Sequence, residues 1–172
     1  GEDGFELYIP ADKGGVVFDA LLEKSTRDEL AMCGLGCRDT LRLEARLHLY
    51  GQEMDETTNP FEAGLGWVVK LDKETPFVGQ DALRALKAEG VSRRLRGLVI
   101  EGRGIIRPGH EIYLGERKVG HVTSGTYSPT LEQSIGLGYI DKDVADEPEV
   151  EVEVRGRRLN ATITKKSFYT RK

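Results

Sequence analysis

Arg38, Asp39, Arg42 and Glu44 crowd into the stretch Gly34-Leu-Gly-Cys-Arg-Asp-Thr-Leu-Arg-Leu-Glu44, which also supplies Leu41 and Leu43 for burial. Charges that dense inside a core-forming element need partners, because a buried guanidinium or carboxylate loses its hydration. Arg42 and Glu44 read as members of structural pairs. Arg38 reads in two ways. It is a helix-start arginine paired with Asp39, Glu44 or Glu62, or it is a fixed fork aimed at a ligand oxygen or carboxylate. Gly34 and Gly36 favour the second reading by leaving room for a close approach.

Glu6 is the other candidate. Phe5-Glu-Leu-Tyr-Ile9 alternates as a strand does, with Phe5, Leu7 and Ile9 on one face and Glu6 on the other. Glu6 is then either a solvated carboxylate or one that faces a pocket. Its two acceptor oxygens suit a flat group with two parallel N–H donors, such as the edge of a pterin or guanidine-like ring. Tyr50, Trp67, Phe168 and Tyr169 can stack on such a ring, or can simply pack. The adjacent Phe168 and Tyr169 so near the C-terminus indicate a docked tail.

Other residues carry less. His48, His110 and His121 follow no metal spacing and read as solvated or hydrogen-bonded. Ser124 and Ser128 lie in a hydroxyl-rich run, but no Gly-x-Ser-x-Gly elbow frames them and no base can be assigned. Gly102-Arg-Gly104 reads as a turn rather than a phosphate-binding loop, since no helix follows it. Cys33 and Cys37 are too few for a disulfide framework and read as buried free thiols in a reducing, cytoplasmic setting.

The elements that position these residues divide in two. The first part mixes strands and helices: a strand over 5–9, a turn at 13–15, a helix over 16–24, an extended connector over 31–36, a helix from 38 or 39 to about 46, a strand over 64–69 and a helix over 80–89 ended by Gly90. Beyond about Ser92 the helical spacing gives way to frequent turns. Strands are expected over 95–100, 111–114, 118–124, 135–140, 150–155 and 158–164, which together suggest a small barrel. The fold class is thus α+β, an α+β region over 1–91 followed by an antiparallel β-barrel over 92–172.

With 172 residues the chain is long enough for one large or two small domains, and its net charge of −4 without a basic stripe argues against nucleic acid. No apolar run approaches the length of a membrane span. The start, Gly1-Glu-Asp-Gly, has neither a signal-peptide pattern nor an initiator Met, so a fragment is expected.

The 34–51 segment stands in order with Gly1-Glu-Asp-Gly-Phe-Glu6, Pro60-Phe-Glu-Ala-Gly-Leu-Gly-Trp67, Gly102-Arg-Gly-Ile-Ile-Arg-Pro-Gly109, Val119-Gly-His-Val-Thr-Ser-Gly-Thr-Tyr-Ser-Pro-Thr130 and the final Phe-Tyr-Thr. Together these motifs resemble the glycine cleavage system T-protein family, aminomethyltransferases that use tetrahydrofolate. The resemblance implies a cloverleaf of three domains around a folate channel. This chain would be its C-terminal half: the last part of the central folate-binding region and the whole barrel. It implies transfer of a one-carbon unit from aminomethyl-dihydrolipoyl H-protein to tetrahydrofolate, with release of ammonia. Glu6 matches the carboxylate that holds the pterin, and Arg38 the folate-site arginine. Trp67 borders the channel. Phe168 stands where a tyrosine is more usual in the folate site. The family's catalytic aspartate falls in the N-terminal half, so no catalytic residue is assigned here. That half becomes a required partner, and the chain alone is expected to be inactive. A non-catalytic folate- or partner-binding module, or the folate domain of a dimethylglycine or sarcosine dehydrogenase-like enzyme, would carry the same motifs.

Overall fold

A computed structural model describes residues 4–26 and 30–170. The chain forms two compact units, Gly1–Asp39 and Thr40–Lys172.

In the first unit, Pro10 leads into a short 3-10 turn, Ala11–Lys13, closed by a hydrogen bond from the Lys13 N–H to the Pro10 carbonyl at 2.9 Å. Helix α1 follows directly (Gly14–Lys24). It matches the helix expected over 16–24, with Gly14 and Gly15 inside its first turn instead of in a loop. Residues 5–9 form no strand: Phe5 is fully exposed, and among the described residues nothing pairs with this backbone. Alternation marks a face, but a strand needs a neighbour to satisfy its N–H and C=O groups. Helix α2 (Leu35–Glu44), whose residues from Thr40 on belong to the second unit, begins earlier than expected, its first turn closed from the Arg38 N–H to the Gly34 carbonyl at 3.2 Å. Low glycine propensity hid that start. Cys33 and Cys37 are thiols outside any disulfide, exposed where burial was expected.

The second unit is built on a closed antiparallel barrel. Its strands are β1 (Arg93–Ile100), β2 (Glu111–Leu114), β3 (Arg117–Ser128), β4 (Gln133–Asp141), β5 (Glu149–Val154) and β6 (Arg157–Thr164). They close in the order β1-β4-β3-β2-β5-β6. All six match the expected strands, and the helix over 80–89 is α3 (Gln80–Glu89). The valines of β5 behave as their alternation requires: Val150 and Val152 are buried in the barrel.

The interior is filled by Leu98, Ile100, Ile106, Ile112, Val122 and Ile140, among others. Small residues make the room. A Cβ on Gly138 would stand 2.8 Å from the Ile112 side chain, and one on Gly136 would stand 2.5 Å from the Ile106 side chain. A narrow barrel must taper its side chains in this way. The opposite face of β4 carries Ile135, Leu137 and Tyr139, which pack with Leu95 of β1 and Leu43 of α2 in a second cluster. β4 is therefore buried on both faces. Full burial of a leucine such as Leu43 is worth about 1.5–3 kcal/mol.

Residues 64–69 fold as turns and a 3-10 helix (Gly66–Val68), where a strand was expected. The Asn59 side chain accepts the N–H groups of Phe61 and Glu62, both at 3.0 Å, and the Leu65 N–H reaches back to the Pro60 carbonyl at 2.8 Å. These local bonds turn the chain before it can extend.

Arg96 of β1 is tied to the segment that follows β4. Its Nε donates to the Ala145 carbonyl at 2.7 Å, and an Nη donates to the Asp146 carboxylate at 3.0 Å. Lys165 and Arg96 together hold the Asp146 pKa down to about 2. The unfolded value is about 4. The contribution of Asp146 is thus complete above about pH 4 and is lost as the pH falls toward about 2. An NMR titration of this carboxyl should show the low midpoint, and Asp146→Asn should remove that part of the acid transition. Gly120 offers a second check. A Cβ there would collide with the Tyr139 backbone carbonyl of the neighbouring strand. Gly120→Ala is expected to cost about 2 kcal/mol or more in urea unfolding.

Candidate functional site

Two buried carboxylates organise the second unit. Glu53 is fully buried. Its Oε2 accepts from Arg42 Nη1 at 2.8 Å and from the Leu49 N–H at 2.9 Å; its Oε1 accepts from the Thr123 hydroxyl at 2.7 Å. The second Arg42 Nη donates to Ser124 Oγ at 2.8 Å. The Tyr139 hydroxyl donates to the Glu53 carbonyl at 2.7 Å, and burial pushes that phenol up to about 12, so it stays a donor.

Glu44 is the second. Ser128 Oγ donates to its Oε1 at 2.5 Å and Thr130 Oγ1 to its Oε2 at 3.2 Å, while its carbonyl accepts the Tyr169 N–H at 3.0 Å. Arg42 and Glu44 are the structural pairs their density implied. They meet the hydroxyl-rich run of β3, not each other.

Local backbone explains how those hydroxyls arrive. Successive side chains of a strand point to opposite faces. Yet Thr123 and Ser124 both turn to the Arg42–Glu53 pair. The register of β3 against β4 slips between Val122 and Ser124, a bulge that re-aims the side chains there. Glu53 is delivered by a tight turn in which the Gly51 N–H bonds the Met54 carbonyl at 2.8 Å and the Glu53 N–H bonds the Leu49 carbonyl at 3.0 Å. Glu62, a possible partner of Arg38, instead pairs with Arg93 at 3.1 Å, and Arg93 lies 4.5 Å from the centre of the Tyr139 ring.

This network is a clamp and not a reaction centre. Its hydroxyls are committed to charged partners, and Glu53, Ser128 and Ser124 are closed to solvent. A nucleophile that no substrate can reach does no chemistry. Among the described residues, no group of His, Cys, Asp and Glu side chains is arranged to hold a metal. In the sequence nothing marks Glu53, Thr123 and Tyr139 for this role beyond the nearness of Glu53 to Gly51.

The expected ligand residues stand elsewhere. In the first unit Glu6 is exposed and accepts the Tyr8 hydroxyl at 3.0 Å, and Arg38 is exposed on α2. In the second unit Trp67 is 73% exposed in its 3-10 turn. Phe168 is half-buried against the second cluster, its ring lying over Gly97 where a Cβ would meet it at 2.9 Å. With Tyr169 bonded to Glu44, the tail is docked as the paired aromatics indicated.

Two family models match the chain in order: a GCVT N-terminal domain over residues 1–73 and a glycine cleavage T-protein C-terminal barrel domain over residues 93–170. An aminomethyltransferase of Geobacillus kaustophilus is 51% identical over 99% of this chain and 47% of its own length. One from Prochlorococcus marinus is 50% identical over 99% of this chain and 45% of its own. The chain thus spans about half the length of the curated relatives it matches. The crystal structure of glycine cleavage system aminomethyltransferase T from Bartonella henselae superposes with a TM-score of 0.83 at 30% identity, covering 94% of this chain and 45% of that one.

Removing one member of the clamp leaves a buried charge without its counterion. Glu53→Ala is expected to cost about 3–5 kcal/mol in urea unfolding. Adding Arg42→Met should restore part of that loss, because the stranded guanidinium is then gone too.

Proposed function

The chain belongs to the glycine cleavage T-protein family, and we propose that it forms the C-terminal, folate-binding part of an aminomethyltransferase of the glycine cleavage system. The observation that carries this reading is the likeness to named aminomethyltransferases across 99% of the chain. In that reaction an aminomethyl group on the dihydrolipoyl arm of H-protein loses ammonia, and its carbon passes to tetrahydrofolate. Tetrahydrofolate supplies the nucleophilic nitrogen that accepts the carbon.

The residues present suit a folate. The Glu6 carboxylate accepts paired N–H donors from a pterin edge. The Arg38 guanidinium supplies a fork for a ligand oxygen or carboxylate. Both are exposed and so accessible to a ligand. Trp67 adds an exposed ring for stacking, and Phe168 fills the position of a folate-site aromatic while its packing on the barrel holds it in place. Within the second unit the clamp ties Arg42 and Glu44 to the barrel, which fixes the frame in which Phe168 is packed. The catalytic aspartate is assigned to the N-terminal half of the whole protein, and the residues here bind and orient rather than react.

In the full-length protein, Glu6→Ala and Arg38→Ala should each weaken folate binding by about 1.5–3 kcal/mol, a loss of one charged hydrogen-bond partner. Fluorescence or calorimetric titration measures this, and unchanged affinity in both variants would show that the residues are wrongly assigned. The isolated chain should transfer no one-carbon unit in an assay with aminomethylated H-protein and tetrahydrofolate, and turnover by it alone would refute the proposed division of labour.

A further inference from the structure

The hollow at one edge of the barrel has a different character from the clamp. It measures about 680 Å³ and is lined by Arg103, Arg107, Arg155, Arg157 and His110, with no acidic residue in its wall. Its size falls in the range of small-molecule pockets. Several other barrel arginines are neutralised: Arg117 by Asp141 and Asp143, Arg158 by Glu151 and Glu153, Arg96 by Asp146. Arg103, Arg155 and Arg157 have no such partner among the described residues.

We propose that this hollow binds a compact polyanion, a small molecule carrying two or more phosphate or carboxylate groups. Four guanidinium forks around one concavity offer paired N–H donors that match those groups in charge and geometry. Part of the site is already rigid. Arg107 Nη1 donates to the Gly125 carbonyl at 3.1 Å, and the Arg107 N–H donates to His110 Nδ1 at 3.2 Å. Gly104 lets its loop lie directly on Leu159, which lines the hollow, where any side chain would collide.

The turn between β5 and β6 gives a second, independent sign. Arg155 and Gly156 both have left-handed backbone, with φ of 53° and 76°. Asparagine or glycine is the usual first residue of such a two-residue turn. An arginine there sits against its backbone preference and presents its charge to the hollow, and strain of this kind gathers at ligand sites. His110 feels the same charge: burial, then Arg107 and Arg155, lowers its pKa. The concavity and the single cluster, in place of a basic stripe, favour a small molecule over nucleic acid. Side chains do the binding, which fits a Gly-Arg-Gly turn that no helix follows.

The test is calorimetric titration of the full-length protein with pyrophosphate and, separately, with citrate, in about 0.1 M salt to screen diffuse attraction. One-to-one binding of either anion is expected, the two arms telling phosphate from carboxylate. Arg155→Gly and Arg103→Gln should each weaken binding about tenfold. Lys87→Gln on α3 should leave it unchanged. Because glycine suits the left-handed turn, a loss in Arg155→Gly reports the side chain and not misfolding. Absence of binding by both anions at about 1 mM, unchanged affinity in both arginine variants, or binding of a hexa-aspartate peptide alone would each overturn the proposal.

Discussion

A carboxylate cut off from water is the constraint from which the second unit is arranged. Glu53 has no access to solvent, so each of its oxygens must be satisfied by protein. Arg42 supplies the charge, Thr123 a hydroxyl and Leu49 a backbone N–H. Those donors come from α2, from β3 and from the turn that carries Glu53 itself. No one of these elements can move without stranding the others. Breaking any one of these contacts is costly, because it leaves a buried charge uncompensated.

Apolar packing does the rest. β4 alternates glycine with bulk, so that Gly136 and Gly138 admit Ile106 and Ile112 on the inside while Leu137 and Tyr139 meet α2 and β1 on the outside. The clamp and the second cluster share that outer face. Tyr139 belongs to both, its ring in the cluster and its hydroxyl on the Glu53 carbonyl. Burial energy and hydrogen-bond geometry thus act on the same side chain.

Much of this was legible in the residues. Period-2 patterns and turn residues placed all six strands, and the density of charge in 34–44 marked Arg42 and Glu44 as paired. The paired aromatics near the end signalled a docked tail. What escaped depended on residues outside the segment concerned. Residues 5–9 alternate, but alternation does not supply a neighbouring strand, and among the described residues none pairs with them. Residues 64–69 look like a strand until Asn59, upstream, caps the turn. Glu53 lies in a stretch whose polarity reads as loop, and only the arrival of Arg42 and Thr123 shows it to be core. The family likeness was legible as well, carried by motifs whose chief physical work in the second unit proves to be holding helix to barrel.

The slipped register in β3 turns chain length into a code. Each slip resets which parity of position faces inward: one lies at Val119 against β2 and one at Thr123 against β4, so Val119 and Val122 are both buried in the barrel although their positions differ in parity. Adding or removing a residue elsewhere in the strand, with no compensating bulge, would invert every side chain on one flank and send buried side chains to solvent. Point substitutions in this strand can drift singly, whereas a change of length must be answered by a second one nearby. Divergence along this ribbon is therefore constrained in spacing more tightly than in composition.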